Sequence, residues 1–213
     1  METRGKYIVI EGHDGTGKST QVKRLTEYLN QSGQPAIMIE EPGSDDPELT
    51  TPVAAYLRQV IKNANLERAP EIDVALFSAA RRELLQQKII PNLAKGVFVL
   101  SARNYLSTLA YQGGGDGVSA EEIADTTRLF TDETYMNPDI MVVLTLDDTS
   151  ERLRRIDGRG ELENPDTFES KGDDFQTKVD QAYLSLAEQY DIPVIDATQT
   201  VDAVYQDLLK LLD

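Results

Sequence analysis

Cysteine is absent from the 213-residue chain, and histidine occurs once, at position 13. The first absence removes disulfides, thiolate-held metals and cysteine nucleophiles. The second leaves nothing from which a cluster of histidine metal ligands is assembled. Positive charge is also scarce, with 21 Lys and Arg against 37 Asp and Glu, a formal net charge of -16. Neutralising a phosphodiester backbone takes clustered cations, so no nucleic-acid partner is expected, although a mononucleotide held by a few local cations is not excluded. No apolar run reaches the length of a membrane span, and Met1 to Lys6 leads into the first apolar stretch without a signal region. A cytoplasmic protein without a membrane partner is the expectation. The length suits one α/β domain with a full core, spanning residues 1–213.

Against these absences stands Gly12-His13-Asp14-Gly15-Thr16-Gly17-Lys18-Ser19, a complete match to the phosphate-binding pattern G-x-x-x-x-G-K-[ST]. Its context is the one the pattern requires. Tyr7 to Ile10 reads as a buried parallel strand, and Val22, Leu25, Thr26 and Leu29 recur at helical spacing after it. A loop joining a strand to a helix N-terminus converges free backbone N–H groups and the positive end of the helix dipole on a polyphosphate. Lys18 is expected to reach the β- and γ-phosphate oxygens and Ser19 to ligate Mg2+. With Thr20, these loop residues form the expected ATP-binding set. His13 is expected to be a solvated loop position.

Further along, Ala36 to Ile39, Val97 to Leu100, Ile140 to Leu146 and Pro193 to Ile195 supply four more apolar strands. Polar clusters follow two of them, Glu40-Glu41-Pro42-Gly43 and Ser101-Ala102-Arg103-Asn104-Tyr105, at the carboxyl edge where open parallel sheets bind ligands. Helices are expected from Pro52, with Val53, Tyr56, Leu57 and Val60 buried, and from about Pro70, with Ile72, Ala75, Leu76, Ala79 and Ala80 buried and Phe77 off that stripe. Gly113 to Gly117 reads as a loop, and Ser119 with Glu122 as a capping box for a helix to about Tyr135. A helix from Thr149 carries Arg152, Arg154 and Arg155. The breaker-rich stretch after it, roughly 156–173, is expected to be a short mobile lid. Further helices are expected over 174–190 and 201–212. The whole reads as a five-stranded parallel sheet covered by helices on both faces.

The phosphate loop, the Glu-Pro-Gly turn, Phe77-x-x-x-Arg81, the run Arg103 to Gly113 and the arginine-bearing stretch before Phe168-Glu169 together resemble the thymidylate kinases, over nearly the whole chain. The resemblance implies a three-layer P-loop NTPase fold, transfer of a phosphoryl group from ATP with Mg2+ to dTMP, and a homodimer. It implies that Phe77 stacks on thymine, that Arg81 and Thr108 bond its edge, and that Asp14 accepts from the 3′-hydroxyl. Tyr111 would crowd the 2′ position, Gln112 would help hold the nucleoside, Glu41 would belong to the acceptor site, and Arg103 would bind the acceptor phosphate. Arg155 and Arg159 would close over the donor phosphates. The sequence departs from the family at Glu40, where an arginine is usual, at Ala102, where an aspartate is usual, and at Glu161 to Asn164, where many relatives carry an Asp-Arg pair. These changes leave two alternatives open: a kinase for another, possibly modified, deoxynucleoside monophosphate, or a nucleotide-binding protein with reduced or lost turnover.

Overall fold

The computed structural model describes residues 4–158, 167–168 and 170–212. Its centre is β1 (Tyr7–Gly12), in which all six residues are buried, as a strand covered on both faces must be. Tyr7 and Val9 pack on one face with Val99, Leu85, Ile89 and Tyr135, whereas Ile8 and Ile10 pack on the other with Val22, Leu25, Leu29, Leu100 and Val142. The two-residue period of the strand makes that division.

Around it lie β2 (Ala36–Glu40), β3 (Phe98–Ala102), β4 (Ile140–Thr145) and β5 (Val194–Asp196), in the order β2-β3-β1-β4-β5 with every pairing parallel. The five expected strands therefore form one sheet. The order in which strands are added reverses at β1: the chain leaves it to build β2 and β3 on one side and then β4 and β5 on the other. Its carboxyl end is thus a topological switch point, the place where such sheets open a crevice.

The helices are α1 (Lys18–Gln31), α2 (Pro52–Lys62), α3 (Pro70–Leu84), α4 (Ile90–Leu93), α5 (Tyr105–Thr108), α6 (Ala120–Phe130), α7 (Glu133–Met136), α8 (Thr149–Asp157), α9 (Asp173–Gln189) and α10 (Val201–Leu209). Two π-helical turns continue them, Leu85–Ile89 after α3 and Leu109–Gly115 after α5. The expected loop at Gly113 to Gly117 is thus partly helical. Ser119 caps α6 through the Glu122 N–H as expected, but that helix ends early because Asp132 caps a new turn at Thr134 and Tyr135.

Helix α2 departs from expectation on its faces. Val53, Tyr56 and Val60 are 49%, 71% and 40% exposed, and Ala54 and Ile61 are buried instead. The same holds for Ile72 on α3, half exposed, where Val74, Ser78, Arg81 and Leu84 are buried. Both helices carry apolar residues on two sides, and α3 can cover only one side of α2. Among the described residues no helix is long and apolar enough to cross a membrane.

Candidate active site

The phosphate loop begins where β1 ends. Gly12 has φ of 135°, and a Cβ there would stand 2.2 Å from the Leu144 carbonyl oxygen, so the sheet edge itself demands glycine. Thr16 Oγ1 and Lys18 Nζ both donate to the His13 carbonyl, each at 2.8 Å, which folds the loop back on itself. Helix α1 then starts at Gly17 with no side-chain cap and no acidic residue in its first turn. Side-chain oxygens cap α2, α5, α6, α7, α8 and α10, whereas α1, like α3, α4 and α9, has none. Its first N–H groups and its dipole are left directed at the crevice.

Beside the loop lies a cavity of about 190 Å³. Asp14, Lys18, Ser19, Glu41, Phe77, Arg103, Thr108, Tyr111 and Gln112 line it, which brings together Lys18, Ser19 and every acceptor-site residue expected from the sequence except Arg81. Glu40, Pro42, Arg58, Ile61, Lys62, Ala102, Ser107 and Phe168 complete the lining. Register explains the first of these groups, since β3 pairs Glu40 with Ala102 on one side and Ile10 with Ala102 on the other. All three turns therefore leave the sheet at one level. The π-helical turn presents Tyr111 and Gln112, a placement that such turns often serve at functional sites.

Arg103 connects the two halves. Its φ of 80° is a left-handed conformation rare for a side chain of this size. Its Nη2 meets Asp14 Oδ1 at 2.5 Å and Tyr111 Oη at 3.2 Å, and its Nη1 donates to Ser107 Oγ and Tyr183 Oη. Tyr111 donates to the other Asp14 oxygen at 2.7 Å. Burial acts to raise the Asp14 pKa, but the Arg103 and Lys18 cations and the Tyr111 hydroxyl outweigh it and hold the carboxyl far below its usual range. Under these turns Glu11, fully buried, accepts from the Asn104 and Ser107 N–H groups and the Ser107 hydroxyl. That carboxylate fixes the chain after Arg103, and the sequence alone did not single it out.

Behind the cavity wall, Arg81 is 1% exposed and spends its donors on Glu41 Oε2 (3.1 Å), Thr108 Oγ1 (2.8 Å) and the Asn104 carbonyl (2.8 Å). Tyr135 also donates to Glu41 Oε2, at 2.6 Å. Burial dominates at Glu41 and pushes its pKa from the usual 4.5 to about 7, against the lowering effect of Arg81 and Tyr135. Glu41 Oε1 and both amide atoms of Gln112, two residues that line the cavity, are buried without hydrogen-bond partners.

Two sequence expectations need correction here. His13 is not solvated: it is 3% exposed, with Nδ1 2.6 Å from Asp180 Oδ1 and Nε2 2.7 Å from Gln176 Oε1 on α9. Gln176 donates its amide nitrogen to the Phe168 and Lys171 carbonyls, so its oxygen faces His13, and the ring meets acceptors on both sides. Arg155 points away from the cavity, to Glu151 at 2.7 Å and the Ala197 carbonyl at 3.1 Å. Arg154 and Arg155 together hold the Glu151 carboxyl at about 2. Arg159, and with it residues 161–164, lies outside the described residues.

Another arginine of α8 reaches the loop instead. Arg152 is 5% exposed and packs so closely on Gly15 that a Cβ there would stand 2.9 Å from its Cγ. Its Nε has no partner, and its Nη1 lies 3.4 Å from His13 Nε2, which already faces Gln176. No carboxylate pairs with it among the described residues. A buried guanidinium in that position lacks its anion.

Comparison with known proteins adds the following. A family model described as thymidylate kinase matches residues 10–208. The thymidylate kinase of Carboxydothermus hydrogenoformans is 32% identical over 210 residues, covering 99% of this chain and 98% of that protein. That of Alkalilimnicola ehrlichii is 38% identical over 216 residues, covering 99% and 93%. The crystal structure of thymidylate kinase from Ehrlichia chaffeensis superposes with a TM-score of 0.76 at 24% identity, covering 99% of this chain and all of that one, a likeness of fold.

Proposed function

Because the chain belongs to the thymidylate kinase family, we propose that it is a nucleoside monophosphate kinase of one domain that moves the γ-phosphoryl group of ATP onto the 5′-phosphate of dTMP, releasing ADP and dTDP. One observation carries the reading beyond family membership: the phosphate-loop lysine and the acceptor wall of Phe77, Thr108, Tyr111 and Gln112 line the same cavity. A protein that only binds ATP has no use for that wall.

The acceptor oxygen is already anionic, so no general base is needed, and the protein supplies position and charge. Lys18 and the open N–H groups of α1 hold the donor phosphates. Arg103 draws the acceptor phosphate toward them and offsets the repulsion between two anions. Phe77 stacks on the base, Thr108 and Gln112 meet its polar edge, and Tyr111 with Asp14 meets the sugar. Arg81 positions Thr108 from behind. Arg152 neutralises charge on the donor side.

The residues fit Mg2+. Ser19 presents its hydroxyl at the start of α1, on the same cavity as the orphaned Glu41 Oε1, and the ion commonly keeps several waters beside few protein ligands. When bound, Mg2+ neutralises charge on the phosphate oxygens. The exposed apolar residues of α2, α3 and α6, Val53, Tyr56, Val60, Ile72 and Leu129, support a homodimer through that layer.

A coupled assay of ADP release against a panel of nucleoside monophosphates tests the reading. dTMP is expected to give the highest kcat/KM. A purine monophosphate that equals it overturns the thymidylate assignment, and turnover of none overturns the enzyme.

A further inference from the structure

Phe168 has no assigned role, yet it occupies the acceptor cavity. The residue is 8% exposed, and its ring lies 5.9 Å from the Phe77 ring at 37° and edge-on to Tyr111 at 5.8 Å. The backbone around it is pinned from two sides. Thr167 bonds through its N–H and hydroxyl to the Lys62 and Ile61 carbonyls at the end of α2, and the Phe168 carbonyl accepts from Gln176 of α9 at 2.9 Å. Such anchoring fixes the Cα, so a movement of the ring runs through its side-chain torsions and gives up its contacts with Tyr111 and with the Lys171 ammonium, 5.4 Å from the ring centroid.

A flat heterocycle between two phenyl faces needs about 7 Å, two stacking separations, so the pair at 5.9 Å is closed by about 1 Å. Arg81 stands 5.3 Å over the Phe77 ring and is locked by three hydrogen bonds. A base that stacks on Phe77 therefore displaces Phe168 rather than Arg81. We propose that Phe168 is the second aromatic face of the acceptor-base slot: it fills the slot before the substrate arrives, then swings to sandwich the base against Phe77. The identity of that base rests on the thymidylate reading above. The same Gln176 that holds the Phe168 carbonyl faces His13 of the phosphate loop, so the wall of the base slot is tied to the donor loop through one side chain.

The chain contains no tryptophan, so Phe168→Trp installs a sole indole in the slot. Its emission is expected to change saturably with dTMP and to stay unchanged with deoxyribose 5-phosphate, which lacks the base. Phe168→Ala should raise the KM for dTMP roughly 5- to 150-fold, the range of one lost base stack, with kcat and the KM for ATP little altered. Phe168→Leu keeps the apolar filling and the fold but lacks a π face, and should show an intermediate rise. A parent-like KM for dTMP in Phe168→Leu, or indole emission indifferent to dTMP, overturns the proposal. The fluorescence titration needs no turnover, so a protein that binds dTMP without phosphorylating it fails the functional reading alone.

Discussion

Two buried arginines, about equally withdrawn from water, sit in opposite surroundings. Arg81, on the acceptor side, has a carboxylate, a hydroxyl and a carbonyl on its three nitrogens. Arg152, on the donor side, has an unpartnered Nε and a neighbouring histidine. Burial makes a charge expensive unless something compensates it. The acceptor side carries its compensation in the fold, which in the proposed function suits it to a base. The donor side is short of negative charge among the described residues, which in the proposed function suits it to a polyphosphate.

The comparison breaks or sharpens under substitution. Lys18→Ala should have the largest effect, a loss of turnover of about 10³-fold or more with the fold retained, seen in the coupled ADP assay beside an unchanged circular dichroism spectrum. Next, Arg81→Met should cost about 3–5 kcal/mol in urea denaturation at pH 8, where Glu41 is ionised in the parent and is then buried without its cation. The double variant Arg81→Met, Glu41→Leu should recover much of that loss, and failure to recover would mean that packing rather than charge holds the acceptor wall.

Arg152→Ala should do the reverse of Arg81→Met. Turnover is expected to fall about 10²- to 10³-fold, as for loss of one transition-state donor. Stability should be little changed or raised, since among the described residues no carboxylate partner is lost and the only polar contact given up is the long one to His13. A large drop in denaturation midpoint would erase the contrast between the two arginines.

The smallest effect concerns Glu41 and pH. Its pKa is raised in the folded chain, to about 7 from 4.5, so its contribution to stability is full below pH 4.5 and is lost as pH rises through 7. That span corresponds to at most about 3 kcal/mol. Glu41→Gln should flatten the fall in stability between pH 5 and 7 relative to the parent. Identical slopes in parallel melts would mean that Arg81 keeps Glu41 ionised throughout.

The phosphate loop was legible because its requirements are backbone requirements: glycine at the sheet contact of Gly12, and a cation and a hydroxyl at the helix start. The strands were legible because a strand covered on both faces is apolar at every position. What stayed hidden was helical phase and long-range contact. Arg152 and Arg155 stand about 60° apart around α8, and only the packing of Ile156 and the loop decides which of them turns inward. His13 has its acceptors more than 160 residues away. Phe168 follows a breaker-rich stretch, and nothing local announces its place beside Phe77. On α2 the apolar pattern at Val53, Tyr56 and Val60 was read correctly as apolar, but a pattern does not say which surface covers it.

That outward apolar face belongs to a chain with net charge -16, and the combination sets an ionic-strength response. Two such chains repel one another at long range, and salt screens the repulsion over a Debye length of about 10 Å at 0.1 M while leaving apolar contact intact. Added salt should therefore strengthen the proposed self-association through α2 and α3. It should weaken the hold of Lys18, Arg103 and Arg152 on phosphates over the same range. Association and substrate affinity thus respond to one variable in opposite directions, and the best working salt concentration is a compromise between them.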